Sequence, residues 1–203
     1  MSTQEKILES ARREFAENGL TGARIDKIAA AASVNKAMIY YHFHSKDELY
    51  QAVIEDHISG IAEFIEQNVV AEADPEAFIF NIADFLSSLF RRRSDFIPIM
   101  LREMAAGGGR VQIAITRLIA NKGIAGRLKN MIDYGKYQGR FRDIDSTQAI
   151  VSFIGMNIFY LLLAPAINSV WEVSDEAKFR QERPAAVADL FLNGLKANKT
   201  DEN

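Results

Sequence analysis

The stretch IDKIAAAASVNKAMIYYHFHSK, residues 25–46, decides the fold. Ile25, Ile28, Ala29 and Ala32 recur at helical spacing and give a first short helix one apolar side. Ser33 and Val34 interrupt that pattern, and Asn35 is of the residue type that caps a helix N-terminus. A second helix is expected from Lys36 to about Phe43. Ile39 and Phe43 lie four apart and face inward, which leaves Lys36, Ala37, Tyr40, Tyr41 and His42 outward. An isolated protein has little reason to turn two tyrosines and a histidine to water. A helix laid on nucleic acid does, because phenol and imidazole groups donate to phosphate oxygens and reach base edges in a major groove.

The rest of the composition agrees with helices. The 203 residues are 48% hydrophobic, enough for a real core, and include only four prolines and twelve glycines. With no alternating run bounded by hairpin turns, the expected class is all-α. The absence of cysteine removes disulfides, thiolate metal sites and thiol nucleophiles. The first residues, MSTQEKILESARREF, are charged and carry no apolar core of signal-peptide type, so a cytoplasmic location is expected. The formal charge of -3 and pI near 5.7 argue against a protein coated in nucleic acid, but from Lys27 to Lys46 there is no acidic residue, so a local basic face fits on an acidic molecule.

Before this stretch, a helix is expected from Ser2 or Thr3 to Asn18-Gly19, with Ile7, Leu8, Ala11 and Phe15 inward. After it, Ser45 and Glu48 form a capping-box pattern that opens a long helix carrying Leu49, Val53, Ile54, Ile58, Ile61, Phe64 and Ile65, to about residue 70. Asp74-Pro75 starts the next, rich in Phe78, Phe80, Phe85 and Phe90. Its terminal Arg91-Arg92-Arg93 reads as cations complementing the helix dipole. A shorter helix over 95–105 stops at Gly107-Gly108-Gly109, a loop without the Lys-Ser/Thr ending of a phosphate cradle. One long helix is expected over 110–138, with Gly123, Gly126 and Gly135 as weak points, and two more over 146–170 and 175–198. Residues 150–167, IVSFIGMNIFYLLLAPAI, approach the length of a membrane span. Ser152, Asn157 and Pro165 interrupt them and the flanks lack a Lys/Arg anchor pattern, so burial by the chain's own domain and a second subunit is expected. Phe179, Val187, Leu190, Phe191 and Leu195 form the apolar side of the last helix, and residues 199–203 a frayed tail.

Phe15-Ala16-x-x-Gly19, then Ile25-x-x-Ile28-Ala29 with Val34, then Lys36-x-x-Ile39-Tyr40-Tyr41-His42-Phe43 and Ser45-Lys46-Asp47-Glu48-Leu49 resemble the DNA-binding domain of the TetR family of bacterial transcriptional regulators. The resemblance covers about the first 50 residues. It implies a helix-turn-helix domain over 1–48, a helical ligand-binding and dimerisation domain over 49–198 and a tail over 199–203. It also implies a homodimer formed through the last two helices, a double-stranded operator and a small-molecule effector, with no cofactor and no membrane. Carried over by position, Lys36, Ala37 and Met38, with Asn35 at their cap, stand where base edges are reached. Tyr40, Tyr41, His42 and Lys46 stand where phosphates or bases are touched. The chain departs from the family in having Ala23-Arg24 where hydroxyl residues are usual, so Arg24 substitutes a charged phosphate contact, and in having Ser33 where the turn usually has glycine. The implied cavity, together with the supply of Phe and Met, points to an apolar or aromatic effector lined by Phe64, Phe85, Met100, Met104, Tyr134, Met156 and Phe159. Two rival classes are a helical enzyme and a membrane-associated adaptor. His42, His44 and His57 make no His-Glu-x-x-His pattern, which weakens the first.

Overall fold

The computed structural model describes residues 1–69, 74–93, 95–120 and 122–197. The expected tail at 199–203, the last turn of the long helix at residue 70 and the side chain of Phe90 fall outside what is described. The elements are α1 (Thr3–Gly22), α2 (Ile25–Ala31), α3 (Lys36–Phe43), α4 (Lys46–Asn68), α5 (Pro75–Arg92), α6 (Phe96–Ala105), α7 (Gly109–Ile115), α8 (Ile124–Tyr137), α9 (Ser146–Val170) and α10 (Glu176–Leu195), with a π-helical stretch Thr116–Ala120 after α7. Among the described residues the only β pairing is an isolated bridge between Phe141 and Lys196. The chain is all-α.

Two compact units form, residues 1–62 with 93–122, and residues 63–92 with 123–203. A division at 48/49 follows the sequence motif; compactness draws α6 and α7 in with the first three helices. Long-range side-chain bonds do this. Arg102 of α6 donates to the carbonyls of Phe15, Ala16 and Glu17 in α1 (3.1 Å to Glu17). Arg110 of α7 reaches Asp47 at 2.8 Å and stacks over the Tyr50 ring. No local pattern announces such pairs.

In the first unit, Ser2 caps α1 reciprocally with Glu5: the Glu5 amide donates to Ser2 Oγ (3.2 Å) and the Ser2 amide to Glu5 Oε2 (2.7 Å). Ile7, Ala11 and Phe15 are fully buried, and Phe15 meets Tyr50 edge-on at 4.8 Å. At Gly19 the helix kinks, with φ 64° and ψ 179°, a conformation in practice reserved for glycine, and then continues for another turn to Gly22. Ser45 accepts from the Glu48 amide (3.0 Å) and so caps α4. The Glu48 carboxylate accepts from the Ser45 hydroxyl instead of reaching back to the backbone.

Between α2 and α3, the Val34 amide donates to the Ala29 carbonyl (3.0 Å) and Ser33 takes φ 56°. A residue with a Cβ is strained in this left-handed region by roughly 1 kcal/mol. Ser33→Gly should therefore stabilise the chain by about 0.5–1 kcal/mol in urea titrations, and Ser33→Val should destabilise it.

The single helix expected over 110–138 is in fact broken. α7 runs into the π-helical stretch, and Gly123, at φ 72°, ends it and opens α8. In the second unit α10 packs on α5 and α9, and α8 on α9. The stripe Val187, Ala188, Phe191, Leu192 and Leu195 of α10 is buried, whereas Leu190 falls on the opposite side and is 65% exposed. That corrects the expected inward set, because the true register runs through 188 and 192. α9 is also not buried all round: Ala149, Phe153 and Tyr160 face the unit, while Val151, Ile154, Phe159 and Leu163 are exposed. By length and composition it is long and apolar enough to cross a membrane, and little of it is buried within the chain.

Candidate nucleic-acid interface and ligand cavity

α3 is positioned by its two inward residues and its cap. Ile39 and Phe43 are 1% and 5% exposed, and Asn35 Oδ1 accepts from the Met38 amide at 2.9 Å. That bond satisfies one orphan amide of the helix start and occupies the Asn35 oxygen. Lys36, Ala37, Tyr40 and Tyr41 are exposed, Tyr41 at 75%; Met38 is half-buried. His42 is half-buried, edge-on to Tyr41 at 5.2 Å, and its Nε2 is buried with no partner among the described residues, so it is less available than the tyrosines.

The flanking basic residues are individually anchored. Lys36 Nζ lies 3.0 Å from Asp26, which raises its pKa chiefly through that hydrogen bond. Asp26 sits one residue before the acid-free stretch, so part of the basic face is neutralised at rest. Lys46 Nζ donates to the Thr21 carbonyl (3.2 Å), beside the exposed Arg24. The Arg24 amide in turn donates to Glu14 Oε1 (3.0 Å), and Glu14 is itself buried. A buried carboxylate thus holds the amide of the α2 N-cap residue, which itself makes no side-chain cap. Sequence reading missed Glu14: on the inward side of α1 it looks like an ordinary solvated acid. The structure therefore brings Arg24, Asn35, Lys36, Ala37, Tyr40, Tyr41 and Lys46 onto or beside one helix-turn-helix, with Met38 and His42 partly withdrawn.

Of the seven residues expected to line an effector pocket, two lie in the first unit and five in the second. Met100 is buried and Met104 is 52% exposed, both in the first unit. In the second unit Phe64 stacks on Phe85 at 4.1 Å, and the Tyr134 hydroxyl accepts from Gln138. Met156 offers its carbonyl to Arg183 (3.2 Å). Phe159 lines a cavity of about 650 Å³ between the end of α9 and the start of α10. Its other walls include Tyr160, Trp171, Phe179 and Arg183. The one usable signal for these was Phe179 and Arg183, four apart on α10 and hence on one face.

A smaller cavity of about 40 Å³ adjoins the same Tyr160 and Arg183 and is walled further by Ser87, Arg91, Asn157 and Arg180. The Arg183 guanidinium lies 5.2 Å over the Tyr160 ring and 6.0 Å from Phe179, and burial pushes its pKa down. The Tyr160 hydroxyl donates to Asn168 Oδ1 at 3.1 Å within the core.

A family model described as bacterial regulatory proteins of the tetR family matches residues 7–53. The chain is 28% identical over 197 residues to the transcriptional repressor NicS of Pseudomonas putida, covering 96% of this chain and 92% of that one. It is 38% identical over 84 residues to the transcriptional repressor SCO4008 of Streptomyces coelicolor, 41% of this chain and 42% of that one. In fold it is similar to the fatty acid degradation regulator FadR of Bacillus halodurans, with a TM-score of 0.73 at 20% identity over 95% of this chain and 99% of that one. With a helix-turn-helix carrying exposed basic and aromatic residues, residues 7–53 matching the tetR family of bacterial regulatory proteins, and a likeness to the repressor NicS along almost the whole chain, the chain is a DNA-binding transcriptional regulator similar to that family rather than an enzyme.

Proposed function

We propose that the chain is a cytoplasmic homodimeric repressor that two α3 helices seat in successive major grooves of a palindromic operator, about 34–36 Å apart, and that a small molecule bound in the second unit releases. The observation that carries the DNA reading is the exposure of Tyr40 and Tyr41 on a helix whose Ile39 and Phe43 are core. The dimer reading is supported by the uncovered apolar side of α9, where Val151, Ile154 and Leu163 would be a costly surface in a monomer. A second copy offers the same strip by symmetry. Release follows if the effector binds better to a dimer whose α3 separation does not match the operator; only that difference in affinity moves the population.

Operators are obtained by selecting bound sequences from random duplex DNA. Lys46→Ala should weaken all of them and reduce the salt slope by about one phosphate contact, whereas changes at Ala37 or Met38 should alter which sequence is preferred, by about 1–3 kcal/mol per base contact. Asp26→Asn should tighten binding several-fold at low salt, since it frees Lys36 and removes an acid from the DNA-facing surface. If the triple change Tyr40→Phe, Tyr41→Phe and Lys46→Ala left operator affinity intact, this surface would not be the interface.

A further inference from the structure

In the second unit, arginines gather with less acid than they need. Arg91 of α5 and Arg180 and Arg183 of α10 all border the small cavity, together with Ser87, Asn157 and Tyr160, and no carboxylate borders it. Arg180 is paired with Glu176 at 2.6 Å. Among the described residues Arg91 donates only to Ser87 Oγ (2.8 Å), and no carboxylate lies within ion-pair distance of Arg91 or Arg183. Arg183 spends one donor on the Met156 carbonyl, while its Nε is buried without a partner. A half-buried guanidinium with an unused donor carries an unrepaid desolvation cost. An anion is the group that repays it, since a guanidinium fork meets a carboxylate with two parallel bonds.

The neighbouring cavity says what else the ligand carries. Tyr160 and Arg183 are walls of both cavities, and beyond them lie Phe159, Trp171 and Phe179. The acids that border this larger space are mostly engaged: Asp175 accepts from the Lys178 amide (2.9 Å), and Glu182 lies 3.8 Å from Lys178 Nζ. We propose that the effector is a small organic acid whose carboxylate sits on Arg183 at the small cavity, with Arg91 and Arg180 nearby, and whose apolar body lies along Phe179 and Trp171. This assignment rests on the effector reading above and narrows it to a chemical class. The carboxylate competes with Glu176 for Arg180 and costs no new burial of charge at Arg183.

The test uses the full chain and its single tryptophan, Trp171, as an internal reporter. Benzoate, phenylacetate, hexanoate and decanoate are titrated at up to millimolar concentration, each beside its neutral amide, with inorganic phosphate as a third arm. At least one acid should give a saturable fluorescence change at least tenfold tighter than its amide. Arg183→Met should weaken it tenfold or more, Arg183→Lys should restore part of the loss, and Arg91→Ala, at an exposed position, should weaken it severalfold. Amides that bind as well as acids, an acid whose affinity ignores both arginine changes, or phosphate as tight as the best acid would each overturn the proposal. No response to any acid would overturn it too. Operator binding is measured on the same preparations without ligand, so failure of the anion site and failure of the DNA reading are read separately.

Discussion

Replacing His57 with leucine should abolish most of the loss of stability that the natural chain suffers between pH 6.5 and 4, on the order of 3 kcal/mol. His57 of α4 is fully buried, and neither ring nitrogen has a hydrogen-bond partner among the described residues. Burial against the edge-on Phe96 ring, 5.2 Å away, pushes its pKa from 6.5 to about 4. The charges that face it come from three elements. Asp95, just before α6, lies 3.9 Å from Nε2 and favours the proton; Asp56 of α4 does so more weakly; Arg93, between α5 and α6, and Arg12 of α1 oppose it. These four are tied to one another, with Arg12 at 2.5 Å and Arg93 at 2.9 Å from Asp56, so neither acid is free to serve the histidine alone.

The sign follows from the lowered value. Above pH 6.5 the ring is neutral in both states and the full stability is present. As the pH falls below 6.5 the unfolded chain takes up the proton first, and stability drains away until the folded ring also titrates near 4. Urea titrations at pH 7, 6, 5 and 4.5 check it. The natural chain and His57→Leu should differ little at pH 7, where leucine merely replaces two unsatisfied nitrogens, and should diverge steadily below 6. Parallel pH profiles would mean that other groups carry the acid sensitivity.

How much of this was legible in the sequence differs from element to element for physical reasons. α1, α2 and α3 are amphipathic, and α1 and α3 are capped by residues next to them in sequence, so spacing alone recovers Ile7, Ile28, Ile39 and Phe43 as core. DNA presents the same phosphates and groove to any partner, and the side chains proposed to meet it are confined to one helix and its flanks. The cavity is different. Its walls come from the end of one helix and the start of the next, and Phe or Met at helical spacing looks the same whether it lines a cavity or fills a core. Met100 is of the right type and is buried; Trp171 sits just past the end of α9 and carried no periodic signal. Arg102 and His57 illustrate the remaining gap. Each acts through partners dozens of residues away, and burial of a charge or a ring nitrogen is invisible until the chain is folded.

Gly135→Ala should cost about 3 kcal/mol, more than most single changes, and lower the melting temperature by roughly 6–12 °C. Gly135 is buried on α8, and a Cβ there would lie well inside van der Waals contact of the Phe141 ring, whose Cγ is 3.1 Å from that position. The ring is poorly placed to step aside. Phe141 is 2% exposed, its amide donates to the Gly135 carbonyl (3.1 Å), and the turn around it is fastened to the end of α10. There the Arg142 amide donates to the Leu195 carbonyl (2.8 Å) and the Ala197 amide to that of Arg140 (3.2 Å). Either the ring stays and the backbone shifts, at about 1–3 kcal/mol, or the ring leaves and its burial is lost, at about 3–5 kcal/mol. A control lies on the same helix: Gly126 has open space around its missing side chain, so Gly126→Ala should stabilise by about 0.5–1 kcal/mol. A double-mutant cycle gives the decisive reading. In a Phe141→Ala background the clash is gone, so Gly135→Ala should cost far less than it does alone. Additive losses would place the cost of a side chain at 135 somewhere other than this ring.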